Sequence, residues 1–397
     1  MKKPQAIILA AGKGARMEPL SCVEDKPLLE ILGKSILEHN LEQINNLINE
    51  AILVIRPGTR GQAIIKKFGK KYKNLKIKYI VQKQPLGTAD AAKAARPLIK
   101  ERFVLLNGDD LYSAKDIKNV LNKYPCILGK QVKNPEFFGV LTVSGNSLKG
   151  LKEKPKHSKN NSVNTGLYYL PVSIFDFSIK KSSRNEYEFT DYIKQFIKKE
   201  KLYCVEAESW LPVSFPWNFI EANEALLTKI KASNKGKVEK YSNVFGKAII
   251  GKNTLIKSGA YIEGPVKIGE NCIVGPNCFV RKFTIIGDNC RIGQGAEIKN
   301  SVIGNNFSIS HFSFIGDSVI ADNCNIGAGT ITANWRHDEK NILSVSKGKL
   351  TDTGKDKLGA ILGKGVKTGI NTLIYPGRKI WPNKVTLPGE IVKQDIS

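Results

Sequence analysis

The residues best suited to chemistry follow the first apolar run of the sequence. Ala11, Gly12 and Gly14 come first, and small side chains there let backbone N–H groups approach a phosphate closely. Arg16 and Lys26 follow, and they can neutralise the charge that develops as pyrophosphate leaves a triphosphate. A Gly-x-Gly turn also occurs in dinucleotide-binding loops, but the later Arg and Lys-Pro do not belong to such loops. The segment therefore predicts a triphosphate site.

Asp109 is the second candidate group. It follows the apolar run 103–106 and the pair Asn107-Gly108. A carboxylate at the carboxyl end of a strand, facing a phosphate loop, suits a hard cation such as Mg²⁺ that bridges phosphates. The structural alternative is an Asp that only forms a turn.

A repeat of six residues dominates the second half of the chain. Between positions 250 and 298 every sixth residue is Ile or Val, and the phase slips by one residue before Ile303 and again before Ile320. A helix needs a period near 3.6 and a plain strand a period of 2, so this period predicts short strands stacked as coils. Gly often follows the apolar residue, where a corner requires a positive φ or no Cβ.

Small side chains stand two positions before many of these apolar residues, and four of the seven cysteines are among them. Cys272 and Cys290 should stack one three-sided coil apart. The chain has no CxxC pair, so we expect reduced, structural thiols rather than a metal site.

The first 230 residues show a different pattern of apolar and polar residues. Apolar runs at 6–9, 51–55, 77–81 and 103–106 alternate with amphipathic stretches at 35–47 and 89–99. Alternation of this kind predicts an α/β domain with a mostly parallel sheet. With a helix expected around 219–230, we place one domain at 1–230, a linker at 231–242 and the repeat domain at 243–397.

Length, charge and apolar content limit the remaining possibilities. A chain of 397 residues exceeds the roughly 250 to 300 at which one core stops growing, so two domains are expected. The apolar start is too short for a secretion signal and no run reaches membrane-spanning length, so we expect a soluble, cytoplasmic protein without a membrane partner. The net charge of +26 is spread along the chain without interleaved aromatic residues, which favours small anionic ligands over nucleic acid.

The N-terminal part resembles the sugar-1-phosphate nucleotidylyltransferases, through residues 9–17 with the downstream Lys-Pro pair. The resemblance covers most of residues 5–225 and implies a Rossmann-like α/β nucleotidyltransferase domain. In it, Gln82 and the backbone of Gly87 and Thr88 would read a uracil or thymine edge, Glu153, Asn164 and Gly166 would hold the sugar, and Asp109 would bind Mg²⁺. Related enzymes commonly carry a metal-binding Asp where this chain has Pro212.

The run 304–334 resembles the acetyltransferase half of bifunctional glucosamine-1-phosphate acetyltransferase/N-acetylglucosamine-1-phosphate uridylyltransferases, including archaeal versions. The resemblance implies an all-β, left-handed parallel β-helix of hexapeptide repeats, which associates as a homotrimer. His311 matches the catalytic base, and an imidazole suits deprotonation of an amine near neutral pH. Phe314 and Trp335 each replace a usual Tyr.

The same resemblance implies the remaining site residues. The sugar phosphate would be clamped by Arg281 and Lys299, and the sugar oriented by Asn325. The Ala328 N–H would stabilise the oxyanion, with Asn334 and Lys340 contacting acetyl-CoA or substrate. The polar stretch 335–357, which contains Lys340, is expected to form a loop.

These expectations together indicate UDP-N-acetylglucosamine synthesis from UTP, sugar-1-phosphate and acetyl-CoA. A nucleotidyltransferase with another sugar or base, such as a glucose-1-phosphate thymidylyltransferase using dTTP, remains a second possibility. A third is an acetyltransferase whose N-terminal domain is catalytically silent, and a fourth is a regulatory subunit like those of translation-initiation exchange factors. Pro212 keeps the silent-domain possibilities open, whereas His311 argues against a purely regulatory role.

Overall fold

A computed structural model describes residues 3–397. By packing, the chain divides into two compact units. The first comprises residues 3–13, Lys26–Leu28 and Ser35–Pro212, and the second comprises Gly14–Asp25, Leu29–Lys34 and Val213–Ser397. Residues 213–230 thus pack with the second unit. The domain bounds derived from the sequence remain a prediction.

Helices and short strands alternate through the first 227 residues. The helices are α1 Ile36–Ile44, α2 Thr59–Phe68, α3 Thr88–Ala94, α4 Ala114–Leu121, α5 Phe189–Phe196 and α6 Asn218–Leu227. The strands are β1 Gln5–Ala10, β2 Glu30–Ile31, β3 Lys34–Ser35, β4 Glu50–Ile55, β5 Lys71–Tyr72, β6 Leu75–Val81, β7 Arg102–Asn107, β8 Asp110–Leu111, β9 Cys126–Gln131, β10 Gly139–Ser144, β11 Ser147–Glu153, β12 Ser162–Pro171, β13 Tyr203–Glu206 and β14 Leu211–Pro212.

The core of the first unit is a ten-stranded sheet with the order β10-β11-β13-β9-β12-β7-β1-β4-β6-β5. Strands β7, β1, β4 and β6 run parallel, and each contains one of the four apolar runs read from the sequence, which confirms those strands. The expectation of a mostly parallel sheet is wrong for the other half. There β12 lies antiparallel between β7 and β9, although β9 and β13 pair in parallel. Strands β10 and β11 form a hairpin, because the connection between them is too short for a crossover.

The second unit is built around a left-handed parallel β-helix with three faces, as the repeat and the resemblance predicted. The first face contains Ser233–Asn234, Ala248–Ile250, Val266–Ile268, Ile285–Ile286, Val302–Ile303, Val319–Ile320, Ile361–Leu362 and Lys379–Ile380. The second contains Lys237–Val238, Leu255–Ile256, Ile273–Val274, Arg291–Gln294, Ser308–His311 and Asn325–Ile326. The third contains Asn243–Phe245, Tyr261–Glu263, Phe279–Val280, Glu297–Lys299, Phe314–Gly316, Ile331–Thr332, Leu373–Ile374 and Ile391–Val392.

The length of a coil explains the phase slips seen in the sequence. Tyr261 pairs with Phe279 and Phe279 with Glu297, a spacing of 18 residues, whereas the next steps, to Phe314 and Ile331, are 17 residues each. The slip therefore marks coils with one residue fewer.

Two residue types share the tight geometry of the corners. Glycines after the apolar position mostly serve close approach, since a Cβ on Gly251 would lie 2.4 Å from the backbone of Gly269 in the next coil. Positive φ is shared between other glycines, among them Gly259 and Gly295, and asparagines such as Asn253, Asn271 and Asn306, because Asn tolerates the left-handed region better than most residues. From the sequence, we expected glycine to provide both the positive φ and the close approach.

The small inward residues are buried as expected. Cys272 and Cys290 lie on adjacent coils, where the Cys290 N–H donates to Cys272 Sγ at 3.4 Å. All seven cysteines are free thiols. Burial raises the pKa of Cys278 and of Cys324 to about 12, so both stay protonated and unreactive at neutral pH.

The polar stretch 335–357 leaves the β-helix, as expected of a loop, but it contains an antiparallel hairpin, Leu343–Ser346 with Lys349–Asp352. The coils on both sides of it still pair directly, Val319 with Ile361 and Ile331 with Leu373. No helix among residues 3–397 is long and apolar enough to cross a membrane.

On each face, the side chains that point away from the β-helix core form an outward column with one residue per coil. The outward columns of the first and third faces differ in exposure. On the first face Ile285, Val302, Val319, Ile361 and Lys379 point away from the β-helix core, yet each is buried. Leu32 and the end of α6 pack against the part of this column near Ile285. On the third face the outward residues are partly exposed and largely apolar.

Candidate functional site

Two predicted groups of the first unit meet at the carboxyl ends of β1 and β7. The Gly108 N–H donates to the Leu9 carbonyl at 2.9 Å, which joins the two strand ends. The next residue, Asp109, pairs with Lys26: Nζ lies 2.5 Å from Oδ2, with Lys26 only 6% exposed and Asp109 38% exposed. The structure thus brings the predicted metal carboxylate and the predicted phosphate-neutralising lysine into contact. Ala11 is buried near the start of this loop, while Gly12 has open space above its Cα.

The donor set around Asp109 fits a Mg²⁺ ion held partly by substrate. Among the described residues no group of three or more His, Cys, Asp or Glu side chains could hold a metal ion. Mg²⁺ is usually held by one or two carboxylates with waters and phosphate oxygens, so one accessible carboxylate is compatible with it.

Pro212, which stands where related enzymes commonly carry a metal-binding Asp, lies in a short strand of the first unit. Strand β14 pairs with β8 so that Pro212 is opposite Asp110, the neighbour of Asp109. The side chain of proline offers no metal ligand. The segment therefore approaches the carboxylates without adding one.

The predicted base-reading loop is fixed by a network that sequence reasoning missed. The Gln82 side-chain amide, 6% exposed, donates to the Gly87 carbonyl at 3.2 Å and to Asp90 Oδ2 at 2.8 Å. Thr88 Oγ1 accepts from the Phe189 N–H at 2.9 Å, at the start of α5. Gly87 has φ +112°, and a Cβ there would lie 2.5 Å from the Tyr187 carbonyl oxygen, so only glycine fits.

The predicted sugar residues of the first unit also lie together. A Cβ on Gly139 would be 3.0 Å from Glu153 Oε2 and 3.6 Å from Asn164 Cβ, which makes these two side chains neighbours. The Gly166 N–H donates to Asn164 Oδ1 at 2.9 Å. Burial raises the pKa of Glu153, and Arg184, which the sequence did not indicate, lies 3.5 Å from it.

Arg16 belongs to the second compact unit. Gly14, with φ +69°, precedes the short helix Ala15–Met17 and accepts a hydrogen bond from Ser21 Oγ at 2.8 Å. The Arg16 guanidinium lies 5.3 Å from the centre of the Phe215 ring, which in turn stacks on Trp217 at 4.6 Å. The arginine is thus held against an aromatic pair.

A buried carboxylate that sequence reasoning missed organises the predicted acetyl-transfer residues. Asp317 is 3% exposed; its Oδ2 accepts from Asn334 Nδ2 at 2.5 Å and lies 3.4 Å from Lys299 Nζ. Its Oδ1 accepts from Asn300 Nδ2 at 2.7 Å. A signal for it was present, since Gly-Asp directly follows the apolar position of this coil.

His311 is exposed at the end of its second-face strand, and its imidazole makes no hydrogen bond to another residue in 3–397. On the next coil the Gly329 N–H donates to the His311 carbonyl at 3.4 Å, so the corner at Ala328 lies beside it. The Ala328 N–H has no acceptor among the described residues, which leaves it available to an oxyanion.

The other predicted residues of the β-helix are less closely joined. Arg281 pairs with Glu297 at 2.9 Å and stacks on Phe279. Glu297 lies one coil from Phe314. Asn325 is exposed, one coil from Ser308 on the second face. Lys340 lies in the polar stretch 335–357, where its backbone N–H donates to Asp338 Oδ1 at 3.4 Å.

Comparisons with known proteins identify relatives along nearly the whole chain. A nucleotidyl transferase family model matches residues 5–229, and a GMPPB C-terminal domain model matches residues 262–396. A protein of Methanococcus maripaludis called bifunctional protein GlmU is 39% identical over 98% of this chain and 95% of its own length. A bifunctional sugar-1-phosphate nucleotidylyltransferase/acetyltransferase of Sulfurisphaera tokodaii is 38% identical over 99% of this chain and 98% of its own length.

A solved structure supports the fold of the N-terminal part. A putative glucose-1-phosphate thymidylyltransferase from Bacillus anthracis, solved with sucrose, matches with a TM-score of 0.52 and 24% identity. The match covers 58% of this chain and 97% of that one.

Proposed function

This chain belongs to the family of bifunctional sugar-1-phosphate nucleotidylyltransferase/acetyltransferases, and from that membership we propose that it makes UDP-N-acetylglucosamine. It is a nucleotidyltransferase and an acetyltransferase. In the proposal, acetyl-CoA first acetylates glucosamine-1-phosphate, and the product then receives a uridylyl group from UTP.

The acetyl step is supported by the residues held around Asp317 and by exposed His311. The imidazole of His311 takes a proton from the sugar ammonium, and the amine then attacks the thioester carbonyl of acetyl-CoA. The tetrahedral intermediate collapses with cleavage of the C–S bond, and its remaining excess N–H proton goes to the departing sulfur, so that CoA leaves as the thiol. The Ala328 N–H stabilises the oxyanion, while Lys299 and Arg281 bind the sugar phosphate. The observation that carries the proposal is the Asp317 carboxylate, which fixes both Lys299 and Asn334.

Further contacts complete this site in the proposal. Asn325 orients the sugar, and Asn334 and Lys340 contact acetyl-CoA. Phe314 stands where a tyrosine is usual and lacks its hydroxyl, so one polar contact to substrate is replaced by an apolar one.

The nucleotidyl step is assigned to the groups that follow β1 and β7. Backbone N–H groups at Ala11, Gly12 and Gly14 bind phosphate oxygens, and Arg16 and Lys26 neutralise charge as pyrophosphate leaves. Asp109 would hold Mg²⁺ together with phosphate oxygens, and the ion would supply Lewis-acid stabilisation of those oxygens.

Substrate choice in this domain is assigned to two further groups. Gln82, Gly87 and Thr88 would read the base, and Glu153, Asn164 and Gly166 would bind the sugar. Partly buried polar groups such as Glu153 discriminate well, because a wrong sugar leaves them without partners. We propose uracil over thymine; dTTP with another sugar is the alternative that the product analysis below distinguishes.

Pro212 supports a second candidate, in which only acetyl transfer is active. A domain that has lost one metal ligand beside Asp109 would bind nucleotide weakly or turn over slowly. The same experiment separates the two candidates.

The outward column of the third face supports assembly with further copies of this chain. Tyr261, Ile331, Leu373 and Ile391 lie in one column and are 37–48% exposed. Glu297 interrupts the column, but from Phe314 to Ile391 every outward residue in it is apolar, and such a patch favours protein contact over water. We propose a homotrimer without nucleic-acid or membrane partners. A cytoplasmic location suits its free thiols.

The test uses the full-length protein with acetyl-CoA, glucosamine-1-phosphate and either UTP or dTTP, with products identified by mass. We expect UDP-N-acetylglucosamine. His311→Ala should lower acetyl transfer by about 10² to 10⁴ and leave uridylyl transfer to N-acetylglucosamine-1-phosphate intact. Asp109→Ala should do the reverse, so each variant is the folding control of the other. Acetylation without pyrophosphate release from any nucleotide would favour the silent-domain candidate, and no acetylation would overturn the proposal.

A further inference from the structure

Two lysines of the β-helix donate hydrogen bonds to the N-terminal segment 14–34. Lys379 Nζ donates to the Glu18 carbonyl at 2.8 Å, and Lys267 Nζ donates to the Leu32 carbonyl at 3.1 Å. Both lysines stand in the outward column of the first face, and all four residues belong to the second unit. Arg16 and Lys26, the two charged groups assigned to nucleotidyl transfer, lie in this stretch of sequence.

The burial of these lysines is unusual for surface groups of a β-helix. Lys379 is 1% exposed and Lys267 is half-buried. Burial lowers the pKa of Lys379 to about 8 and also lowers the pKa of Lys267, with Asp395 and Glu18 among the charges that oppose the shift at Lys379. Lysine is almost never fully buried unless its ammonium has partners, so the two carbonyls account for the placement.

Further contacts show that the surrounding residues accommodate both lysines. A Cβ on Gly33, where φ is +75°, would lie 2.1 Å from Lys267 Nζ, so glycine is needed for the lysine to reach Leu32. Lys379 Nζ also lies 5.9 Å from the ring of Trp217, the residue that stacks on the Phe215 ring under Arg16. One lysine therefore contacts both the backbone near Arg16 and the aromatic pair that supports its guanidinium.

We propose that Lys267 and Lys379 are positioning residues for nucleotidyl transfer, which fix the backbone around Arg16 by holding the segments Gly14–Asp25 and Leu29–Lys34 at Glu18 and Leu32. The inference rests on the proposed function of the N-terminal domain. It assigns these two lysines a part in nucleotidyl transfer, separate from acetyl transfer. Displacement of a reacting group by about 1 Å can lower a rate by 10², so the loss of either anchor should be measurable.

The test compares Lys379→Met and Lys267→Met in the full-length protein. Methionine keeps the length and apolar stem of lysine but cannot donate. For each variant we expect kcat for uridylyl transfer to fall about 10-fold or more, with a smaller change in KM for UTP and acetyl transfer within twofold of wild type. Lys252→Met is the control, because Lys252 is an exposed lysine of the same β-helix.

Hydrogen–deuterium exchange gives a readout that does not depend on nucleotidyl transfer. Lys379→Met should speed exchange at residues 15–22, and Lys267→Met at residues 29–34, each without a change in the coils of the β-helix. Gly33→Ala should reproduce the effect of Lys267→Met while leaving the lysine in place, which covers a variant that fails to fold.

The results that would overturn the proposal are specific. Uridylyl transfer within twofold of wild type in both lysine variants would refute a positioning role, and a parallel loss of both activities would show a general structural role. If the wild type releases no pyrophosphate, the proposed function fails, and unchanged exchange in both segments would separately refute the anchoring.

Discussion

Asp317→Asn tests whether one buried carboxylate holds the acetyl-transfer site together. The carboxylate accepts from Asn334, Asn300 and Lys299 and is almost fully buried. An amide of the same shape keeps one acceptor oxygen and presents an NH₂ group in place of the other. If that NH₂ faces Asn300, the Asn300 side chain can turn and offer its own oxygen, which has no hydrogen-bond partner within residues 3–397.

The expected loss is therefore the ionic part of the interactions. Hydrogen bonds to charged groups contribute about 1.5 to 3 kcal/mol and neutral ones about 0.5 to 1.5, so weakening two of them should lower the unfolding free energy by about 2 kcal/mol. With Lys299 and Asn334 less firmly held, kcat/KM for acetyl transfer should fall by about 10-fold, which is about 1.4 kcal/mol of transition-state stabilisation.

Asp322→Asn is the matched control on the next corner of the same β-helix. Asp322 Oδ1 accepts from the Asn305 backbone N–H at 2.7 Å, and the oxygen of an asparagine can do the same. Its effect should stay within about 0.5 kcal/mol. Urea unfolding followed by circular dichroism and release of free CoA measure the two quantities. Equal stability and equal acetylation in the two variants would refute the role assigned to Asp317.

Three further outcomes are expected. Pro212→Asp adds a carboxylate opposite Asp110 and should lower the Mg²⁺ concentration for half-maximal nucleotidyl transfer; an unchanged requirement in the folded variant would contradict the placement of this segment near the metal. Gly87→Ala should raise KM for UTP by displacing the loop from Tyr187, whereas Gly145→Ala, where φ is +59° but no atom lies within 4 Å, controls for backbone strain and should leave KM unchanged in a kinetic assay. The pKa of Lys379 is lowered to about 8 in the folded protein, so the unfolded chain binds an extra proton between that pH and about 10.5. Across this window the unfolding free energy of the wild type should rise by about 1.4 kcal/mol per pH unit relative to that of Lys379→Met, as measured by urea unfolding. Parallel curves of unfolding free energy against pH would refute the pKa shift.

Local patterns predicted the parts of the molecule that depend on local rules. The period of six indicated the β-helix, and the one-residue slips marked the shorter coils before Phe314 and Ile331. The apolar runs ending near Leu9 and Leu106 located two parallel strands, whose ends place Lys26 and Asp109 in contact.

Other features depend on partners far apart in the sequence, and no spacing rule reveals them. Arg184 beside Glu153 and Asp317 beside Asn334 are ordinary charged residues until the fold brings their partners close. Lys379 appeared as one more basic residue in a chain of charge +26, although it is buried. The antiparallel pairing of β12 was missed because its partners, β7 and β9, are separated from it in the sequence by other strands.

The bond between Lys379 and Glu18 also orders events during synthesis, since its donor comes 361 residues after its acceptor. At about 5 to 20 residues per second, the ribosome makes Lys379 some 20 to 70 seconds after Glu18. The strands of the first unit can pair during this interval, but the backbone beside Arg16 acquires its anchor only when the last coils have formed. A nascent or prematurely terminated chain therefore lacks this anchor.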